Sequence, residues 1–376
     1  AQPGGDEFYA HEIRFLGDSV WTADEIHQTG LDEVDRISAQ MDTILKENGY
    51  SEGTVGERMI ALAGLPGQVF DATDEGRGAL LDYLNDEIDA VMAKAPSFYG
   101  TIPEQAVEVR RIPPVSEAGE AGGFYSPPSL DGARPGIYWI NLRDMEAVPK
   151  FGLKTLTYHE AVPGHHFQIS LAQENEDLPA FMRFGGTTSF VEGWALYAET
   201  LGNEMGFYED PWARYGTLQD EQLRAMRLVV DTGIHSKGWT REQAIDFMLE
   251  NSGMTRTEVV AEVERYIAIP SQALAYKIGA LKIQELRERV KAKLGDAHLR
   301  LGNVLRDLGN QAAAIAEYLQ MRAIFEQLSK EHPDVPEYAS RLAASYANLG
   351  SLLDDLGKSG EAATAYGKAI AIHEQL

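Results

Sequence analysis

The chain has 376 residues, 44% hydrophobic and 24% charged, ample for two or three domains with buried cores. Its formal net charge of −25 repels phosphate backbones and anionic lipid, which argues against nucleic acid as a partner. Cysteine is absent, so disulfides and thiolate metal sites are excluded, and any metal must be held by His, Asp or Glu.

No run of about 18 apolar residues occurs, so no membrane span is expected. The first five residues do not resemble a signal peptide and include no initiator Met, which points to a processed protein or a fragment.

Residues 1–95 read as mostly helical. Thr22 to Glu25 opens an amphipathic stretch in which Val34, Ile37, Met41, Ile44 and Leu45 recur at helical spacing, and Gly49 closes it. A second helix is expected over 77–92, before Pro96. The texture then changes. Residues 107–112 read as a strand, 113–128 as a Pro/Gly-rich loop, Asp131 and Gly132 as a turn, and 136–142 as a second strand. That second strand could pair an extended peptide along its edge, or lie inside the sheet. From 153 to 294 the pattern is helical again, with breaks at 203–211, 233–239 and 253.

Beyond this, residues 301–328 match 349–376 at an offset of 48 residues, with Leu305, Asp307, Leu308, Gly309 and Tyr318 repeated as Leu353, Asp355, Leu356, Gly357 and Tyr366. A fixed period of helix–turn–helix units is the signature of a stacked solenoid, here of tetratricopeptide type. The fold class expected is therefore mainly α: a helical catalytic region with a small β-sheet over 1–295, then a short helical-repeat solenoid over 296–376.

The chemistry concentrates in 157–168. Of nine histidines, His159, His165 and His166 fall within eight residues, beside Glu160. Zinc hydrolases that place two His one turn apart on a helix set a Glu beside the metal-bound water. Here the spacing is wider: six residues of ideal helix rotate about 600°, leaving His165 about 120° from the face of His159. Pro163 lacks an N–H and clashes with the preceding turn, so a bulge at Pro163 and Gly164 could return His165 or His166 to the metal. Glu192 is the candidate third ligand. Gly193, Ala195 and Ala198 would let its helix approach the His helix, and Glu199, seven residues on, could ligate instead or orient a His.

The strings at 159–168 and 192–199 resemble the bacterial family catalogued as domain of unknown function 885. So do Arg227 through Asp231 to His235, and Arg265 and Tyr266 through Pro270 and Gln272 to Tyr276 and Gly279. That family is similar to the helical zinc peptidases that include thimet oligopeptidase and angiotensin-converting enzyme. The resemblance implies one Zn2+ ion, His165 ahead of His166 as second His ligand, and Glu160 as general base on a peptide substrate. It also implies His235 and Tyr276 as oxyanion donors and Arg265 as holder of a substrate carboxylate. It covers residues 6–295 and only the later part of the family's domain. The repeats after it suggest a fusion, natural or assembled, that could bind a protein partner. Family relatives favour a periplasmic or secreted location.

Overall fold

Capping chemistry sets many of the helix boundaries in the computed structural model, which describes residues 3–63, 67–120 and 122–376. After α1 (Gly5–Phe15), α2 (Ala23–Glu47) begins at a capping box in which Thr22 and Glu25 satisfy each other's backbone N–H groups. It ends where Gly49 takes a positive φ of 89°. Then follow α3 (Val55–Ala63) and α4 (Asp74–Lys94). Three strands come next: β1 (Val107–Arg111), β2 (Gly123–Ser126) and β3 (Gly136–Ile140).

The sheet order is β1-β3-β2, with β1 parallel and β2 antiparallel to β3. The strand expected over 136–142 is therefore central, so its edges are not free for a peptide. The Pro/Gly-rich stretch read as a loop contains β2, whose four residues are too few to show a period of two. An edge strand results.

The helical part continues with α5 (Lys150–Glu160), α6 (His165–Glu174), α7 (Ala180–Arg183), α8 (Thr188–Glu204) and α9 (Pro211–His235). It proceeds through α10 (Arg241–Asn251), α11 (Arg256–Ala268) and α12 (Ala275–Asp307). The repeats take the end of α12 together with α13 (Gln311–Glu331), α14 (Pro336–Asp355) and α15 (Ser359–His373). The protein is mainly α, as its periodicity predicts. Among the described residues no helix is long and apolar enough to cross a membrane.

Two units are distinguished, Ala1–Ile283 and Gln284–Leu376. In the first, α2 lies along α9 and buries Val34, Ile37 and Met41 against Met226, Val229 and Val230. A second core joins Leu80, Leu84 and Ile88 of α4 to Tyr138 and Ile140 of β3 and to Leu153 and Tyr158 of α5. Each such side chain, fully buried, contributes about 1.5–3 kcal/mol. Helix α5 thus packs against α4, α8, α9 and β2, which fixes its C-terminal end in space. In the second unit the 48-residue repeat is visible as packing: the Tyr318 ring lies on Gly302 and the Tyr366 ring on Gly350.

Candidate metal centre

His159 and Glu160 form the last turn of α5, and both are buried. The next residues do not bulge within one helix, as the spacing suggests; they end it. Ala161 leaves the helical region at φ −107°, ψ −98°, the Val162–Pro163 peptide is cis, and α6 starts afresh at His165. The turn is tight enough that a Cβ on Gly164 would lie 2.0 Å from the His159 carbonyl oxygen and 2.2 Å from that of Tyr158. Only glycine fits. Trp194 on α8 ties the turn down by donating its indole N–H to the Pro163 carbonyl at 2.9 Å.

This break brings the His159 and His165 rings to 4.8 Å between centroids, nearly perpendicular at 85°. Both Nε2 atoms lie 3.4 Å from Oε2 of Glu192 on α8. Among the described residues, His159, His165 and Glu192 form a group that could hold a metal ion, with donor atoms within 4.8 Å of one another. Glu192 is held well below the usual carboxylate range: burial works against its charge, and the two imidazoles outweigh burial.

Glu199, two turns along α8, is fully buried, and its Oε1 sits 2.7 Å from His159 Nδ1. It takes the orienting role, leaving His159 Nε2 free for a metal. Burial holds the Glu199 carboxyl above its ordinary pKa, against the pull of the His159 hydrogen bond. Of the small residues expected to let α8 approach α5, Gly193 serves a different contact. Gly193 abuts Gly279 of α12, where a Cβ would meet backbone at 2.5 Å, whereas Gly202 faces the Tyr158 ring of α5.

His166 turns away from the group. Its Nε2 lies 2.9 Å from the Gln105 carbonyl, which can only accept, so Nε2 carries the hydrogen. Nδ1 then accepts from the Tyr125 hydroxyl at 2.9 Å. His166 buttresses the site without reaching it. His235 is also elsewhere: it ends α9, its Nε2 meets the Tyr266 carbonyl at 2.9 Å, and its ring packs on Tyr9. Arg265 is engaged by Gln272 and Glu262 and does not line the cavity beside the histidines. Position along the helix explains both departures: His235 shares a face with Arg224 but lies eleven residues further along α9, and Arg265 lies one turn beyond Glu262 on α11.

Tyr276 does line that cavity, an open space of about 940 Å³. So do His159, Glu160, His165 and Glu192. The opposite walls carry Phe124 and Tyr125 of β2, and Arg224 and Arg227 of α9, which sequence reasoning did not assign to the site. Arg224 and Arg227, three residues apart on one helix, share a face; that spacing was the available signal. The neighbouring motif residue Asp231 is structural. Fully buried, it accepts from Tyr9 Oη at 2.6 Å and from the Ser271 N–H at 3.1 Å, and burial pushes it up to about 7.

The family model of bacterial proteins of unknown function (DUF885) matches residues 1–300, and a tetratricopeptide-repeat model matches 342–376. Among solved structures, a protein from Colwellia psychrerythraea described as a candidate lipoprotein is 53% identical, with a TM-score of 0.77; the match covers 79% of this chain and 51% of that one. A candidate lipoprotein of unknown function from Shewanella oneidensis is 20% identical, with a TM-score of 0.63, over 77% of this chain and 54% of that one, and attests the fold alone. The chain thus spans about half the length of these solved relatives. No curated protein matches it.

Proposed function

This chain belongs to the bacterial family of unknown function DUF885, and on that premise we propose that it is a zinc-dependent hydrolase cleaving short peptides. The observation that carries this reading is the convergence of His159, His165 and Glu192 beside buried Glu160 in one open cavity. Two imidazoles and a carboxylate with a fourth position open are the donor set of catalytic zinc. The Nε2 atoms of His159 and His165 support the fit, both facing Oε2 of Glu192 at 3.4 Å.

A divalent ion held there would supply Lewis acidity toward a carbonyl and toward water. Glu160 serves as general base, taking a proton from water as the water oxygen bonds to the scissile carbonyl carbon. It then returns that proton to the amide nitrogen as the C–N bond breaks, so the net change is addition of one water. Tyr276, whose phenol burial keeps protonated, is the donor available to the developing oxyanion. The outer side of β2, unpaired within its sheet and lining the cavity, suits an extended backbone.

The test is Glu160→Gln in the zinc-loaded full chain, with a peptide pool as substrate. Zinc stoichiometry should stay at one while cleavage falls by about 100-fold or more. Cleavage equal to the parent's would sink the mechanism. A second reading rests on the repeat match at 342–376: capture of a protein partner by that segment, with the metal group inactive. Stoichiometric zinc without turnover on any peptide, together with partner capture, would favour it. The lipoprotein description of the Colwellia relative supports a location outside the cytoplasm, and we take the periplasm as the working assignment.

A further inference from the structure

The wall of the cavity formed by α9 holds charge that the hydrolytic steps do not use. Arg227 is buried at 7% exposure; its Nε and Nη2 reach Glu262 at 3.3 and 3.0 Å, and Nε also meets Tyr266 Oη at 3.2 Å. Its Nη1, with two N–H groups, is buried and has no hydrogen-bond partner. One turn earlier, Arg224 spends Nη1 on Asp220 at 3.0 Å, while its buried Nε has none.

The pairing is also uneven. Three guanidiniums, Arg224, Arg227 and Arg265, share two carboxylates, Asp220 and Glu262. Glu258, which also lines the cavity, is exposed and turned to cap α11 at Thr255. Of these three guanidiniums only Arg224 and Arg227 line the cavity, and what they leave open there is unmet donors rather than an excess of positive charge. Buried, unmet, charged donors are unfavourable unless an acceptor arrives, and a guanidinium fork matches a carboxylate.

Tyr276 links this wall to the metal group. The Arg227 guanidinium lies 4.7 Å over its ring, and its phenol feels the charges of Glu192 and of both arginines. We propose that Arg224 and Arg227 form an anion subsite for the free C-terminal carboxylate of a peptide, so that short fragments are removed from the C-terminal end. This rests on the hydrolase reading for its substrate but not for its binding. A backbone carboxylate arrives in fixed register with the scissile carbonyl, which a side-chain carboxylate does not.

The experiment uses the full chain carrying Glu160→Gln, zinc-loaded, and calorimetric titration with three N-acetylated tetrapeptides. One has a free C-terminus, one is its C-terminal amide, and one is an amide with Asp as last residue. The free acid should bind about tenfold or more tightly than the plain amide. Arg227→Gln, and independently Arg224→Gln, should erase that difference with zinc content unchanged. Arg227→Lys should restore it in part, because the charge stays and the fork is lost.

Equal binding of acid and plain amide overturns the subsite, as do a preference that survives both Gln variants and an Asp-amide that binds like the free acid. Failure to bind any of the three also overturns it. Discrimination without cleavage by the Glu160 parent would defeat the hydrolase reading and leave the subsite standing. Cleavage without discrimination would do the reverse.

Discussion

At the scale of single residues, the carboxylate behind His159 decides how well the group can take a metal. Glu199 accepts from His159 Nδ1 at 2.7 Å and holds the ring so that Nε2 faces His165 and Glu192. Glu199→Gln should weaken zinc affinity about 10- to 100-fold, the usual loss when the group orienting a metal-binding His is removed. Competition with a chromophoric chelator measures it, and unchanged affinity would refute the orienting role. Asp231 makes a separate prediction. Its folded pKa of about 7 lies above the ordinary value of 3.8, so the folded state holds the proton more tightly. That contribution to stability is complete below about pH 4 and is lost as pH rises through 7. Asp231→Asn stays neutral, so its stability relative to the parent should climb between pH 4 and 7; a flat difference would contradict the burial argument. At this scale the sequence was legible where donor types cluster, as in the His and Glu residues that the fold brings together. It was not legible for His235 or Arg265, whose chemistry suits the reaction but which lie beyond the cavity along α9 and α11.

At the scale of elements, two close approaches hold the donor set together. Gly164 admits the turn between α5 and α6, and Gly193 with Gly279 lets α8 touch α12. The first was readable from Pro163 and Gly164 as a distortion, but only the tertiary path turns a distortion into two helices meeting at an angle. The second was attributed to the wrong partner, because a small residue announces a neighbour without naming it. Gly279→Ala would set its Cβ 1.9 Å from the Ser189 carbonyl at the start of α8. Backbone must move, so unfolding stability should drop by about 1–3 kcal/mol. Zinc affinity should fall with it, because Glu192 lies one turn beyond Ser189. Thermal denaturation and metal titration of the same preparation check both; a loss of stability with unchanged zinc affinity would uncouple the α8–α12 contact from the site. Strand β2 was hidden for a different reason. Four residues between Gly-rich segments carry no periodicity, and only its antiparallel register with β3 makes it an element.

At the scale of the whole molecule, the repeats and the metal group are separable in sequence, and each is legible there by a different signal. Periodicity betrays the solenoid, because residues 48 apart meet equivalent neighbours: Gly302 lies under Tyr318, and Gly350 under Tyr366. Clustering betrays the metal group, because convergent donors are rare by chance. Every residue lining the cavity falls between Glu120 and Tyr276, within the unit Ala1–Ile283. The ligand geometry is fixed by α5, α6 and α8, which pack on α4, α9 and the sheet of that same unit. A chain ended after Leu308, where α12 is already complete, should therefore bind zinc with an affinity within about twofold of the full chain, a difference of about 0.4 kcal/mol. Turnover is a different matter for this prediction, since the match covers only about half of each solved relative. Comparing zinc affinity and peptide cleavage for both lengths separates the two. A tenfold loss of zinc on shortening would mean that the repeats support the donor set. Equal zinc binding with lost cleavage would assign them instead to the substrate.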